Sequence, residues 1–194
     1  MKVVVLATGN PGKVRECAAV LAPAGFTVLG LGALADATPV EETGVTFEAN
    51  ARLKAEGYSL RTPHPVLADD SGLEVDALGG GPGVLSARYG GPELTDPERC
   101  TAILEALAHT PDDKRTARFR CVLALAQAGR TLSTFDGAVE GTILRAPRGA
   151  NGFGYDPIFF HPASGCAFAE LTREEKERVS HRGQALRKFV EGAV

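Results

Sequence analysis

Asp69 and Asp70 follow the apolar run Val66-Leu67-Ala68 and lead into Ser71-Gly72. Adjacent side chains on an extended chain point to opposite faces, so one carboxylate can serve the structure while the other meets a ligand. Hard divalent cations favour carboxylate oxygens, and Mg2+ commonly takes one or two of them together with substrate phosphates. The plainer reading is an Asx-type turn that closes a strand. Glu41-Glu42, before Thr43-Gly44, is a second acidic pair. By itself it reads as a solvated loop; it gains meaning as a second carboxylate for the same cation.

Cationic groups recur at three places. The first is Thr8-Gly9-Asn10-Pro11-Gly12-Lys13, directly after Val3–Leu6 and Ala7. A strand, a tight loop and a helix start present backbone N–H groups to a phosphate, and Lys13 adds a point charge there. The Walker pattern G-x-x-x-x-G-K-[ST] is absent, and an ordinary turn with an exposed lysine is the alternative. Lys176 and Ser180-His181-Arg182 are the other two. His and Arg at a helix start suit a phosphate or a purine carbonyl; the alternative is a set of surface charges on an amphipathic helix. In Asn151-Gly152-Phe153-Gly154-Tyr155-Asp156-Pro157 two glycines flank an aromatic and an acid follows. Such an aromatic can stack on a base while the acid accepts hydrogen bonds, or it is a core Phe in a glycine-rich loop. Carboxylates, cations and an aromatic loop together describe a nucleoside triphosphate site with Mg2+.

Val3–Leu6 reads as a buried strand, and Asn10-Pro11 as the N-cap and first residue of a helix. Val14, Cys17, Ala18 and Leu21 give that helix one apolar face, and Pro23 and Gly25 end it. A strand is expected at 26–31, a helix at 46–58, and a short strand at 66–68 that stops at the two aspartates. Asp96-Pro97 opens another helix, with Cys100, Ile103, Leu104 and Leu107 facing inward. Ala117, Phe119, Cys121, Leu123 and Leu125 alternate with period two, which predicts a long strand. A turn at 127–130 leads to a strand at 131–135, and a third strand is expected at 139–144. Thr172-x-x-Glu175 is a capping-box pattern, and Ser180 opens the final helix. This order predicts an α/β fold with a mixed sheet and one domain over residues 1–194.

The 194 residues carry a net charge of −3, with 44% apolar and 23% charged content, so nothing suggests a basic face for long nucleic acid. No run of about 18 apolar residues predicts a membrane span. Val3–Leu6 is too short for a signal-peptide core. Cys17, Cys100, Cys121 and Cys166 are far apart and form no C-x-x-C, so buried free thiols and a cytoplasmic location are expected.

ATGNPGK, EETGVTFEANARLKA, LADDSGLEVDALGGGPGVLSARY, NGFGYDPIF and ELTREEKERVSHRGQAL stand in an order and spacing that resembles the inosine triphosphate pyrophosphatase (Ham1-like) family, especially its bacterial dITP/XTP branch. The similarity runs from Lys2 to Phe189. It implies an elongated mixed β-sheet flanked by helices, two lobes with a central substrate cleft, and a homodimer. It implies Mg2+-dependent hydrolysis of a small-molecule nucleotide, dITP, ITP or XTP, to monophosphate and pyrophosphate. Carried over by motif, Thr8, Gly9, Asn10, Pro11, Gly12 and Lys13 would hold the triphosphate, and Lys54 is a further candidate there. Glu42 and Asp70 would serve the metal, and Asp70 would also accept the proton of the attacking water. Ser71 would contact substrate. Phe153, Gly154, Tyr155 and Asp156 would wall the base and sugar. Lys176, His181 and Arg182 would close the base pocket, where cationic donors favour the 6-oxo group over adenine's amino group. Two other readings are a Maf-type pyrophosphatase for modified pyrimidines, which the NGFGYD and SHR motifs oppose, and a non-catalytic nucleotide sensor, which Asp70 and Lys13 oppose.

Overall fold

The computed structural model describes residues 2–34 and 36–192. Its seven strands are β1 (Lys2–Ala7), β2 (Phe26–Leu29), β3 (Val66–Val75), β4 (Thr116–Gln127), β5 (Arg130–Ile143), β6 (Phe159–His161) and β7 (Cys166–Ala167). They form one mixed sheet in the order β2-β1-β3-β4-β5-β6-β7. β1 runs parallel to β2, with Val4 opposite Val28, and parallel to β3, with Leu6 opposite Leu67. β5, β6 and β7 are successively antiparallel. The helices are α1 (Pro11–Leu21), α2 (Phe47–Ser59), α3 (Asp96–Ala106), α4 (Arg173–Val179) and α5 (His181–Gly192). No helix among the described residues is long and apolar enough to cross a membrane.

Contacts group the chain into two compact units. Unit one comprises Met1–Asp70, Cys121–Gly137 and His181–Val194; unit two comprises Ser71–Arg120 and Ala138–Ser180. The core of unit one joins Val4 and Leu6 of β1, Cys17 and Leu21 of α1, Leu67, Cys121 and Leu123 of the neighbouring strands, and Leu186 and Phe189 of α5. Gly137 of β5 belongs to the same packing: a Cβ there would collide with the His181 carbonyl of α5. The core of unit two is aromatic, with Phe119, Phe159 and Phe168 rings 4.6–5.8 Å apart between centroids. Arg115 is buried there and donates to three backbone carbonyls, of Leu107, Ile143 and Leu144, at 2.7–2.8 Å. It thereby ties the C-terminal end of α3 to the end of β5.

Three predicted boundaries shift. The strand expected at 26–31 ends at Leu29, and a 3-10 turn begins at Leu31. β3 does not stop at Ala68 but continues through both aspartates to Val75. Buried ion pairs replace the turn that Asp-Ser-Gly would otherwise favour, and Gly72 lets the Ser86 hydroxyl and the Gly83 carbonyl approach the strand. β5 is one strand of 14 residues rather than two, because Gly137 and Gly141 mark close approach of neighbouring chain rather than turns. The hairpin between β4 and β5 turns at Ala128-Gly129, both with positive φ. Of the cysteines, all free, three are buried and Cys166 is half-buried.

Candidate active site

In unit one, Asn10 caps α1 from the β1 loop: its side-chain oxygen accepts from the Gly12 N–H at 2.8 Å and the Lys13 N–H at 3.2 Å. The Thr8 hydroxyl accepts from the Asn10 N–H. These loop N–H groups are therefore occupied by the cap, and the charge that the loop presents is the Lys13 ammonium. Gly9, Asn10 and Pro11 lie exposed, Thr8 and Lys13 half-buried, and Gly12 buried.

β3 sends its two aspartates to different partners. Asp69 is 1% exposed; one of its oxygens pairs with Lys13, and the other accepts from Arg182 Nε at 2.7 Å. The Arg182 guanidinium also pairs with Glu16 of α1, and the Cys121 thiol lies 3.3 Å from Asp69 Oδ2. Burial works to raise the Asp69 carboxyl, but Arg182 and Lys13 outweigh it and hold it well below the usual range. The Arg182 guanidinium is itself held well above its ordinary value: burial opposes the charge, and Asp69 and Glu16 overcome it.

Asp70 faces α2. Its Oδ1 accepts from Lys54 Nζ at 3.1 Å, and the same ammonium donates to Glu42 at 3.1 Å and to the Asp69 carbonyl at 2.9 Å. Glu42 is half-buried and Glu41 exposed, so Glu42 is the member of the pair that meets this cluster. Its loop is fastened by the Gly44 N–H, which donates to the Asn50 side chain at 2.7 Å. Asp70 Oδ2 is buried without a hydrogen-bond partner among the described residues. Burial pushes the Asp70 carboxyl up, more than Lys54 and Lys13 pull it down. Lys54, by contrast, is raised, because Asp70 and Glu42 overcome its desolvation. Two adjacent aspartates thus have oppositely displaced acidities, a pattern that separates a fixed anion from a proton acceptor.

In unit two, Asp156 is 2% exposed and organises its loop. Its Oδ2 accepts from the Phe153 N–H at 2.9 Å and from Lys176 Nζ of α4 at 2.5 Å. The same ammonium stands 4.8 Å from the Phe153 ring centroid, within cation–π range. Tyr155 is buried and donates its hydroxyl to the Ser86 carbonyl at 2.8 Å. Burial pushes that phenol above its ordinary value, so it remains a donor. Ser71 is half-buried in β3.

The Ham1 family profile matches residues 4–192. The chain belongs to the Ham1 family. A dITP/XTP pyrophosphatase of Thermus thermophilus is 56% identical over 97% of this chain and 90% of its own length. A protein of the same name from Yersinia pestis is 53% identical over 96% of this chain and 95% of its own length. The solved structure of a HAM1 protein from Coxiella burnetii aligns with a TM-score of 0.88 at 42% identity, covering all of this chain and 98% of that one.

Within this Ham1 chain, the residues singled out from sequence fall into two groups. Thr8–Lys13, Glu42, Asp70, His181 and Arg182 belong to unit one; Ser71, Phe153–Asp156 and Lys176 belong to unit two. Arg182, expected at the base, has its guanidinium on Asp69 and Glu16, and His181 beside it is 4% exposed. Sequence reasoning did not find Glu16 or Cys121. Glu16 stands three residues after Lys13, so the two share a helix face, which is a readable signal. Cys121 meets Asp69 only through strand pairing across 52 residues, and no local pattern announces it.

Proposed function

We propose that this protein hydrolyses non-canonical purine nucleoside triphosphates, dITP, ITP and XTP, to monophosphate and pyrophosphate, and so clears deaminated purines from the nucleotide pool. The names and high identity of the bacterial relatives support the reaction and the substrate class. The observation in this chain that carries the reading is Asp70. It offers one buried oxygen with no hydrogen-bond partner among the described residues, and its acidity is displaced toward neutrality by burial.

Phosphoryl chemistry depends mostly on positioning and on neutralising charge. Asp70 Oδ1 is anchored by Lys54, so Oδ2 is the oxygen left to orient a water and take its proton. The raised pKa makes that carboxylate a better base than an ordinary aspartate. Asp69 stays ionised and serves as a fixed anion that holds Lys13. Lys13 and Lys54 neutralise the phosphates and the departing pyrophosphate. Arg182 acts through Asp69 in this scheme, with His181 next to it on α5. In unit two the Phe153 ring stacks on the purine, and Asp156 with Gly154, Tyr155 and Ser71 shapes the base and sugar surface. Lys176, held by Asp156, stands 4.8 Å from that ring and favours a 6-oxo base.

The donor set fits Mg2+. Among the described residues no three His, Cys, Asp or Glu side chains converge as a metal cluster. Glu42 and Asp70 both reach the Lys54 ammonium, however, and Asp70 retains its unpartnered oxygen. One or two carboxylates completed by substrate phosphates is the usual arrangement for Mg2+. Bound there, the ion would acidify water and screen the phosphate charge. A homodimeric state and a cytoplasmic location complete the proposal; sedimentation and cell fractionation test them.

Product analysis with dITP, XTP, dATP and dGTP, each with Mg2+ and with EDTA, tests the function. Pyrophosphate and monophosphate from dITP and XTP, lost with EDTA, are expected. Inorganic phosphate as the first product would move the attack to the γ-phosphorus and overturn the mechanism. Tight ITP binding without turnover would make the protein a sensor.

A further inference from the structure

Gly154, between Phe153 and Tyr155, has both of its backbone polar groups gripped by one helix of unit two. Its N–H donates to Asp96 Oδ2 at 2.7 Å, and its carbonyl lies 3.4 Å from the Cys100 thiol. Asp96 and Cys100 are four residues apart on α3, so they stand on one helix face and present an acceptor and a donor side by side. Burial pushes the Cys100 thiol up to about 12, which keeps it in the S–H form that donates. The Asp96 carboxylate is itself bracketed, because its other oxygen lies 3.7 Å from the Arg99 guanidinium. Arg99 in turn points at the Gly91 and Pro92 carbonyls. Gly154 has φ +61°, in the left-handed region, and a Cβ there would meet nothing within 4 Å. The demand for glycine is therefore conformational, and the conformation is the one that the α3 grip holds.

We propose that Asp96 and Cys100 are positioning residues for base recognition: by gripping Gly154, α3 sets the place and tilt at which the neighbouring Phe153 ring is presented. This rests on the reading of Phe153 as the base-stacking residue. It adds to that reading a determinant on a helix that none of the sequence motifs includes.

The test compares Asp96→Ala with Asp96→Asn, which keeps an oxygen acceptor, and Cys100→Ala with Cys100→Ser, which keeps a donor. Losing one such hydrogen bond should raise KM for dITP about five- to tenfold in Asp96→Ala, with kcat within about twofold. Inhibition by pyrophosphate, which carries no base, should be unchanged, and Asp96→Asn should return KM most of the way to wild type. The chain has no tryptophan, so Phe153→Trp provides a single reporter. Its emission and acrylamide quenching should change when Asp96→Ala is added. An unchanged KM overturns the proposal, as does a rise in KM matched by an equal weakening of pyrophosphate, which marks general damage. Where wild type itself fails to turn over dITP, a changed emission from the Phe153→Trp reporter keeps the positioning role and removes the proposed substrate, and an unchanged emission removes both. If Asp96→Ala does not fold, the Cys100 pair carries the same comparison.

Discussion

Unit one and unit two handle buried charge in different ways. In unit one, Lys13 and Arg182 pair with Asp69 and Glu16, and Lys54 pairs with two carboxylates, Glu42 and Asp70. With all three ionised, the Lys54, Glu42 and Asp70 group carries 1 − 2 = −1. In that group burial pushes the Asp70 carboxyl up, and its second oxygen is unpartnered among the described residues. In unit two, Lys176 pairs with Asp156; that carboxylate fixes the Phe153 backbone, and the ammonium stands against the Phe153 ring. The comparison teaches a division of labour. The two carboxylates around one ammonium suit the proposed metal and proton-acceptor roles, and the Lys176–Asp156 pair suits the proposed base platform.

The largest effect should come from Asp70→Asn. The neutral amide removes both the surplus charge and the proton acceptor, so kcat on dITP should fall by about 10²- to 10⁴-fold. Binding should weaken far less, because Lys13 and Lys54 remain. Rates of pyrophosphate release check this, and near-wild-type turnover would break the division of labour at its centre. Asp69→Asn comes next and acts on folding. It takes the Asp69 charge from the Arg182 guanidinium, 2% exposed, and from Lys13. Removing one partner of a buried ion pair costs about 3–5 kcal/mol, readable as a shift in the urea unfolding midpoint. A variant as stable as wild type would show that the Asp69 charge is not what holds Arg182 and Lys13.

On the other side of the comparison, Phe153→Ala should leave the phosphate chemistry intact. Stacking of a base on an aromatic is worth about 1–3 kcal/mol, so KM for dITP should rise about five- to a hundredfold. Pyrophosphate inhibition should stay at its wild-type value. Equal losses for dITP and pyrophosphate would mean that the two regions are not separable in the way described.

How far these regions were legible in the sequence follows the same contrast. β1, the Asn10 cap, Pro11 and α1 were readable because capping and helix periodicity are local. So were the Thr172–Glu175 capping box of α4 and the break at Ser180 before α5. β3 was cut short because Asp-Asp-Ser-Gly has turn chemistry, and only distant cations stabilise two aspartates inside a strand: Lys13, Lys54 and Arg182 come from three different helices. The opposite orientation of Asp69 and Asp70 did follow from strand geometry alone. The partners did not, since Arg182 lies 113 positions from Asp69. In unit two, Asp96 read as a helix start and Cys100 as core, and both are correct; their shared hold on Gly154, 58 and 54 residues away, is a tertiary fact without a local signature.

The smallest effect concerns pH and sharpens the contrast on the side of unit two. With Asp156 held by Lys176, the response of that unit to mild acid should come from an imidazole rather than from that carboxylate. His161 of β6 is 8% exposed, with Ser164 Oγ 2.8 Å from Nδ1 and the Phe168 ring 5.6 Å away. Burial lowers its pKa below the ordinary value of about 6.5. The folded state therefore binds fewer protons than the unfolded chain once pH falls past that value. Stability is complete above about pH 6.5 and declines as pH drops toward the folded value. Between pH 8 and pH 5.5 the melting midpoint of wild type should fall about 1–2 °C further than that of His161→Gln. Parallel falls in the two proteins would assign the acid response elsewhere, with the buried carboxylates of unit one the first place to look.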